Sequence, residues 1–185
     1  MDDDAFDATL MARLARGDTG VIGELYMRHG DQVLRFLTRT LRDGATAEDL
    51  CQDIFLGLPG AASRYRDERK LRSWLLGIAA KKARGWQRRQ WVRDRLLRGF
   101  WSAEQPPTAG EREPSALDQM AAAFDQLPHE LREVLVLQVG EGLSGVEIAE
   151  VLSLSHGAVR VRLHRARQRL RELVERVGTS APTEP

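Results

Sequence analysis

Residues 142–171 read GLSGVEIAEVLSLSHGAVRVRLHRARQRLR, a pattern that predicts two helices joined by a short turn. Ser144 and Glu147 have the spacing of a capping box, in which each side chain accepts a hydrogen bond from the other residue's backbone N–H. The small residues at 152–155 suit a turn, and Ser155 can cap the helix that follows. The stretch therefore predicts a helix-turn-helix whose second helix is long and basic.

This second helix has two contrasting faces. Its apolar side chains recur every three or four positions and define one buried face: Val159, Leu163, Ala166, Leu170, Leu173 and Val177. At about 100° per residue, the opposite face carries Val161, His164, Arg165 and Gln168, flanked by Arg160, Arg162 and Arg167. A capped N-terminus and an arginine-lined face fit the DNA major groove. For the helix considered alone, a solvated basic surface is the alternative interpretation.

The net charge of +1, from 28 basic and 27 acidic residues, is a cancellation between blocks of opposite sign. Residues 1–60 carry a net charge of −5, residues 61–100 carry +10, residues 101–155 carry −8 and residues 156–185 carry +4. Two basic blocks beside acidic blocks indicate two contacts with a polyanion. Nearly all of the basic residues are arginine, which suits phosphate and guanine, although genomic base composition is the simpler cause of that bias.

Several classes of protein are disfavoured by composition and motifs. No apolar run approaches the length of a membrane span, and the acidic N-terminus does not resemble a secretory signal. The single cysteine, Cys51, excludes an internal disulfide framework and fits a reducing cytoplasm. Phosphate-binding glycine motifs and Cys/His clusters are absent from the sequence. We therefore expect no enzyme activity, no metal and no cofactor.

The remaining sequence predicts an all-α protein of two small helical domains joined by a flexible linker. The predicted boundaries are an N-terminal helical bundle at 1–100, a linker at 101–116, a helix-turn-helix domain at 117–177 and a disordered tail at 178–185. Within the linker, helix-breaking residues cluster at Pro106, Pro107, Gly110 and Pro114.

The N-terminal pattern predicts helices at about 4–16, 19–42 and 71–98, with a further helix between the last two. We expect Gly44 to stop the second helix, Thr46 to cap the third, and Pro59-Gly60 to end it. In the second domain, helices resume near Ser115, and Pro128 suits the first position of a helix.

Two motif sets resemble those of bacterial RNA polymerase sigma factors, in the extracytoplasmic-function (ECF) group of the sigma-70 family. The first set is AEDLCQDIFL at 47–56 and LRSWLLGIA at 71–79. The second is LP at 127–128, REVL at 132–135, EGLS at 141–144, EIA at 147–149 and VRVRLHRAR at 159–167. The resemblance covers about residues 8–177, and the two sets in this order are specific to that family.

The resemblance implies that the acidic third helix binds core RNA polymerase at the clamp helices of the β′ subunit. The implied polymerase-binding residues are Asp49, Gln52, Asp53, Phe55 and Leu56. The family also contacts the polymerase β subunit. Cys51 occupies a position that is usually apolar in the family, which favours packing over redox sensing.

The +10 block would bind the −10 promoter element, where single-stranded DNA is held by cations and by stacking on aromatic rings. The implied −10 residues are Arg64, Tyr65, Arg66, Lys70, Lys81, Lys82, Arg84, Trp86, Arg88 and Arg89. Trp86 and Trp91 suit stacking or packing equally well. Lys81 and Gly85 replace an asparagine and an aspartate that are usual in the family, and Pro59 stands where a tryptophan is frequent.

The helix-turn-helix would bind the −35 element. The implied −35 residues are Ser155, Arg160, Val161, Arg162, His164, Arg165 and Arg167, with Arg162 and Arg167 on phosphates. The linker would run toward the polymerase active-site cleft, where its acidic residues either mimic nucleic acid or form a passive tether.

The resemblance implies a cytoplasmic bacterial protein, nucleoid-associated in the holoenzyme. Its partners would be core RNA polymerase, promoter DNA and an anti-sigma factor, with no membrane span. Two other hypotheses remain open: a helix-turn-helix regulator whose N-terminal part senses a ligand or dimerises, and an adaptor that binds a regulatory protein. A regulator does not require the basic, aromatic block at 61–100.

Overall fold

A computed structural model of the chain describes residues 3–66, 70–97 and 115–179. These residues contain no β-strand, so the all-α prediction is confirmed. The helices in the described part of the chain are α1 (Asp3–Ala15), α2 (Ile22–Leu41), α3 (Gly44–Leu56), α4 (Leu58–Ala61), α5 (Leu71–Leu97), α6 (Ala116–Asp125), α7 (His129–Leu135), α8 (Gly145–Leu152) and α9 (His156–Thr179). Among these helices, none is long and apolar enough to cross a membrane.

Helices α1 to α5 form an N-terminal lobe. Helix α2 packs against both α3 and α5, and α1 lies against α2, α4 and α5. The largest buried side chains include Phe36 and Leu37 of α2, Ile54 of α3 and Leu76 of α5. Because this core covers one side of α3 and one side of α5, the opposite sides of these two helices remain for contacts outside the lobe.

The boundaries of α2 and α3 differ from the prediction. Helix α2 ends at Leu41, and Arg42 takes the left-handed conformation (φ 64°) that was expected at Gly44. Asp43, rather than Thr46, caps α3, because its carboxylate accepts hydrogen bonds from the Thr46 N–H (3.1 Å) and hydroxyl (2.7 Å). These bonds hold the pKa of Asp43 below its usual range.

The end of α3 was also predicted incorrectly. The helix ends at Leu56, and α4 begins two residues later, before Pro59-Gly60 is reached. Pro59 lies in the first turn of α4, where its missing N–H has no intrahelical partner to lose.

Helices α6 to α9 form a C-terminal lobe in which α6, α7 and α8 all pack against α9. The predicted capping box of Ser144 and Glu147 is confirmed, and Ser115 with Asp118 forms a second one at the start of α6. Pro128 lies one position before the predicted one, at the N-cap of α7. A π-helix (Val136–Gly140) continues α7 and leads into a turn at Gly142, whose φ of 67° suits glycine.

The two lobes contact each other. Helix α5 packs along α8, and α2 packs against α7 and the π-helix. Of the predicted linker at 101–116, residues 101–114 lie outside the described residues. Helix α9 continues to Thr179, so residues 178 and 179 of the predicted tail are helical, and the rest lies outside the described residues.

Candidate nucleic-acid and polymerase interfaces

Helix α9 has the two faces that its periodicity predicts. Ser155 accepts a hydrogen bond from the Ala158 N–H at 3.2 Å and so caps the helix. The buried face contains Val159, Leu163, Ala166 and Leu173, with Leu170 half-buried. The outer face is exposed and carries Arg160, Val161, His164 and Arg165. Cationic and apolar side chains thus stand together on a rigid helix, as direct readout of base edges in the major groove requires.

The turn before α9 positions this outer face. Ser153 adopts the left-handed conformation (φ 55°) and ends α8, and the Leu154 N–H donates to the Ala149 carbonyl at 2.9 Å. The three-residue turn at 153–155 therefore fixes the angle between α8 and α9, as in helix-turn-helix motifs.

Arg162 and Arg167, predicted to hold phosphates, contact other residues of the C-terminal lobe. The Arg162 guanidinium lies 3.6 Å from the Glu130 carboxylate, and Arg167 donates to the Gln138 side chain at 2.8 Å. The first is an ion pair and the second a hydrogen bond to a neutral amide, and such contacts at the protein surface are weak. DNA phosphates could exchange with these partners at little cost.

A groove of about 610 Å³ lies between α3–α4 and α5 in the N-terminal lobe. Its apolar floor includes Ile54 and Ile78, and its rim carries Arg64, Lys81 and Arg89. Cations around an apolar trough are the combination that binds single-stranded DNA, since the backbone is neutralised while bases leave water.

The other predicted −10 cations lie near this groove or beside the loop before α5. Arg66 and Arg88 are exposed. Lys82 pairs with Asp53 at 3.2 Å, and Lys70 lies 3.8 Å from Asp4. Arg84 differs from the rest, because it pairs with the buried Glu133 of the C-terminal lobe at 3.4 Å. In this conformation Arg84 does not face a DNA site.

The aromatic side chains of this region divide between packing and exposure. Tyr65 and Trp74 form an edge-to-face pair with ring centroids 5.4 Å apart. Trp86 is partly buried and packs against the hydrophobic core, which favours its packing role, and stacking on DNA stays a prediction. Trp91 keeps 54% of its surface exposed.

The acidic face of α3 points away from the core. Asp49, Gln52, Asp53 and Leu56 fall within about 100° of one another on the helix, and all four are exposed. Leu56 is 65% exposed, so this acidic face also offers one apolar side chain to a partner.

Phe55 does not belong to this face. Its side chain is 2% exposed and packs edge-to-face on Tyr26 of α2, with centroids 5.0 Å apart. The prediction that Phe55 touches the polymerase is therefore corrected, because the residue lies on the side of α3 that faces α2. Cys51 is also buried, donates its S–H toward the Gly30 carbonyl (3.7 Å) and has a thiol pKa raised by burial, as packing predicts.

Three charged residues of the C-terminal lobe are buried, which the sequence pattern does not predict. They are Arg132, Glu133 and Glu141. The one local signal is that Arg132 and Glu133 stand inside an apolar stripe, next to Leu131 and Val134. Such a signal does not reveal the partner, since the contacts come from distant parts of the chain.

Burial raises the pKa of the Glu133 carboxyl to about 7, although Arg84 and Arg162 beside it act in the opposite direction. Glu130 contributes to the rise. The neighbouring His129 has its pKa lowered to about 4, first by burial and then by nearby arginines. Because a raised carboxyl pKa favours the protonated form, Glu133 stabilises the fold below pH 4.5 and this contribution is lost as the pH rises to about 7.

We expect Glu133→Gln to gain stability relative to the wild type as the pH rises. The glutamine cannot ionise, so the difference in unfolding free energy should shift in its favour by at most about 3 kcal/mol between pH 4.5 and 8. Urea unfolding followed by circular dichroism at several pH values measures it. Because His129 lies 4.0 Å from Glu133 and the two titrations are coupled, both proteins carry His129→Gln in this comparison. A difference that stays constant with pH would contradict the raised pKa.

Comparison with known proteins shows the family of each lobe. The family described as Sigma-70 region 2 matches residues 25–93, and the family described as Sigma-70, region 4 matches residues 117–170. The chain belongs to the sigma-70 family of RNA polymerase sigma factors. Like the ECF group within that family, this sigma factor binds core RNA polymerase and directs initiation at promoters with −10 and −35 elements.

Individual relatives extend this match over nearly the whole chain. RNA polymerase sigma factor CarQ of Myxococcus xanthus is 36% identical over 169 residues, covering 89% of this chain and 95% of CarQ. ECF RNA polymerase sigma factor SigD of Mycobacterium tuberculosis (strain H37Rv) is 33% identical over 182 residues, covering 93% of this chain and 85% of SigD. The structure of CnrH in complex with the cytosolic domain of CnrY aligns with a TM-score of 0.64 at 28% identity, covering 90% of this sigma factor and 96% of CnrH.

Proposed function

We propose that the two lobes divide the work of promoter recognition, with region 2 formed by residues 1–100 and region 4 by residues 117–177. The exposed outer face of α9 supports this most directly, because a capped helix presenting arginine, histidine and valine side chains fits a DNA groove. In this proposal Arg160, Val161, His164 and Arg165 meet bases of the −35 element. Ser155, Arg162 and Arg167 hold phosphates.

The groove between α3–α4 and α5 is the proposed −10 site. Its cations, Arg64, Lys81, Lys82 and Arg89, would neutralise the backbone of the separated strand, with Arg66, Lys70 and Arg88 nearby. Tyr65 lies in the segment before α5 and packs edge-to-face on Trp74, which lines the groove. Its ring would then be held in place to contact a base. Lys81 stands on the groove rim, so the replacement of the usual asparagine adds a cation to this site.

The acidic face of α3 is the proposed contact with the β′ clamp helices of core polymerase. Exposed Asp49 and Gln52 surround Leu56, which supplies an apolar anchor in a polar rim. The lobe thus carries its polymerase contact and its DNA groove on neighbouring helices, since Asp53 of α3 reaches Lys82 of α5.

We also propose that this sigma factor works in the cytoplasm, has no catalytic activity of its own and is held by an anti-sigma factor. Support for such a partner comes from CnrH, which is similar over most of this chain and was solved with the cytosolic domain of CnrY. DNA melting and RNA synthesis would then belong to the holoenzyme.

Reconstituted transcription tests the whole proposal. Core polymerase plus this one protein should give run-off transcripts from a promoter selected out of random DNA by the reconstituted holoenzyme. A helix-turn-helix regulator would instead bind duplex DNA alone and give no transcript without another sigma factor. An adaptor would give neither result.

Arg165→Ala tests the −35 assignment. Loss of a base contact should weaken holoenzyme binding to an intact upstream element by about 1–3 kcal/mol and relax selectivity at that base. Binding to a promoter with a scrambled upstream element should change little. Arg171→Ala is the matched control, because Arg171 is also exposed on α9 but lies about 9 Å further along the helix axis, away from the N-terminal turns that would enter the groove. Equal effects of the two variants, or unchanged selectivity in run-off assays, would contradict the assignment of Arg165.

A further inference from the structure

A second cavity, separate from the −10 groove, lies between the C-terminal half of α5 and the first turn of α7. Its volume is about 510 Å³, which is within the usual range of small-molecule sites. Gln87, Arg88 and Trp91 line it from α5, and His129 and Glu130 line it from α7. The stripe of α5 that lines this cavity is about 120° around the helix from the stripe that lines the −10 groove.

Several buried polar atoms at this cavity have no hydrogen-bond partner within the described part of the chain. They are Oε1 of Gln87 and both ring nitrogens of His129. Behind His129, the Glu133 side chain is fully buried, and its Oε1 atom, 4.0 Å from the imidazole, also has no hydrogen bond. A buried polar atom without a partner destabilises a fold, so a group of them in one cavity wall indicates a bound molecule that supplies the partners.

The hydrogen-bonding capacity of this wall follows from its protonation state. Burial lowers the pKa of His129 to about 4, so the imidazole is neutral at neutral pH, and one ring nitrogen donates while the other accepts. The Gln87 oxygen is a further acceptor. The wall therefore offers two acceptors and one donor, which complement the amino groups and ring nitrogens on the edge of a nucleobase.

Trp91 provides a flat apolar wall beside these polar atoms. Its side chain keeps 54% of its surface exposed and lines the cavity. An indole stacks on the face of any base. Arg88, three residues earlier on α5, is exposed at the same cavity, and its guanidinium suits a phosphate.

Glu130 favours a ribonucleotide over a strand of DNA. Its side chain is 67% exposed at the rim of the cavity and lies 3.6 Å from the Arg162 guanidinium. A carboxylate repels the successive phosphates of a strand, but it is a common acceptor for the hydroxyls of ribose. One acid and one exposed arginine around a stacking wall thus match a single ribonucleoside phosphate.

We propose that the cavity between α5 and α7 binds a free ribonucleotide. The base stacks on Trp91, and its edge forms hydrogen bonds with Gln87 and His129. Glu130 accepts hydrogen bonds from the ribose hydroxyls, and Arg88 donates to the phosphate. This site does not depend on the proposed promoter contacts, although Arg88 is also one of the cations placed near the −10 groove.

Isothermal titration calorimetry on the full chain tests the site with AMP, GMP, CMP and UMP. At least one of them should bind with one-to-one stoichiometry and a dissociation constant below about 1 mM. Ribose 5-phosphate, which lacks the base, should bind at least about 10-fold more weakly. The 2′,3′-dideoxy form of the best nucleotide should also bind more weakly, since it lacks the hydroxyls that Glu130 would accept from.

Two variants locate the binding site. Trp91→Ala removes the stacking wall and should weaken binding by about 10-fold or more. Val92→Ala is its control, because Val92 is a neighbouring exposed apolar residue that does not line the cavity. His129→Leu should also weaken binding by about 10-fold, while the thermal unfolding midpoint without ligand should be no lower than that of the wild type, because two unpartnered nitrogens are removed.

His156→Leu is the control for His129→Leu. Both histidines are the first residue of a helix, but His156 is exposed and lies outside the cavity. Its replacement should leave nucleotide binding unchanged. If His129→Leu does not fold, Trp91→Ala still tests the site, because its side chain is exposed.

Four outcomes overturn the proposal. None of the nucleotides binds, or ribose 5-phosphate binds as tightly as they do, which would mean an anion contact only. Alternatively, Trp91→Ala and its control bind equally well, so the nucleotide lies elsewhere. Finally, a single-stranded RNA 12-mer binds in a Trp91-dependent manner while the mononucleotides do not, so the cavity belongs to a strand. Run-off transcription by the wild type tests the proposed function separately.

Discussion

The double variant Asp49→Lys/Leu56→Glu is expected to lose core RNA polymerase binding by about 1,000-fold, or about 4 kcal/mol. Both side chains lie on the outer face of α3, where Asp49 is exposed and Leu56 keeps 65% of its surface in solvent. The first change reverses a charge, and the second puts a carboxylate where an apolar anchor would enter the partner. Each substitution disfavours binding of the partner at this face. Because both side chains are exposed, the core of the lobe stays intact.

Co-purification with core polymerase and a titration by fluorescence anisotropy measure this loss. Run-off transcription should disappear with it, because a sigma factor that does not bind core polymerase cannot deliver it to a promoter. Leaving Asp53 unchanged matters here, since Asp53 pairs with Lys82 and its replacement would also disturb the −10 groove.

The matched control is Glu24→Lys/Met27→Glu on α2. It makes the same two chemical changes at an exposed acid and at an exposed apolar side chain, Met27 being 83% exposed. This variant should bind core polymerase as the wild type does. If the α3 variant still co-purifies with core polymerase, the docking face lies elsewhere.

Arg132→Met should destabilise the protein by about 3–5 kcal/mol. The Arg132 guanidinium is buried and donates to three backbone carbonyls: those of Thr40 (3.1 Å), Asp125 (3.0 Å) and Leu127 (2.7 Å). The Thr40 carbonyl is in the last turn of α2, and the other two are at the end of α6, where carbonyls have no intrahelical partner. Methionine fills a similar volume but leaves the Thr40 and Leu127 carbonyls unpaired, while the Asp125 carbonyl keeps its bond from Arg42.

Urea unfolding at neutral pH checks this value. The control is Arg42→Met, because Arg42 also donates to the Asp125 carbonyl but keeps 45% of its side chain exposed. Water can replace an exposed donor, so the control should cost less than about 1 kcal/mol. A similar cost for both variants would mean that burial does not set the contribution of Arg132.

Arg132 also connects the stability of the fold with the contact between the two lobes. One guanidinium joins the end of α2, in the N-terminal lobe, to the end of α6, in the C-terminal lobe. Separation of the lobes therefore breaks the Thr40 bond while the two bonds within the C-terminal lobe can remain.

Local chemistry explains which parts of the fold could be predicted. The Ser144–Glu147 capping box, the Ser155 cap and the spacing of Val159 and Leu163 each depend on residues within a few positions of one another. Helix ends were less predictable where two residues compete for one role. Asp43 and Thr46 can both cap a helix, and the one whose backbone is extended outside the first turn succeeds.

The candidate sites likewise divide into features that follow from sequence spacing and features that depend on tertiary packing. Exposure of Asp49, Leu56, Val161 and Arg165 follows from their helix faces, and helix faces follow from sequence spacing. The burial of Phe55 depends on which side of α3 meets α2, and spacing alone does not decide that for a residue at the edge of an apolar stripe. Trp86 packs against the core for a similar reason.

By itself the sequence determined an all-α chain, its helix-turn-helix, its family and the charge of its DNA-binding surfaces, because each is encoded in contiguous motifs or in a period of 3.6 residues. Only the tertiary structure decided the roles of Arg84, Arg132 and Glu141. Their partners lie 49, 92 and 109 residues away in the sequence. A charged side chain is buried or exposed according to what packs over it, and that depends on the free energy of the whole assembly of helices rather than on any local pattern.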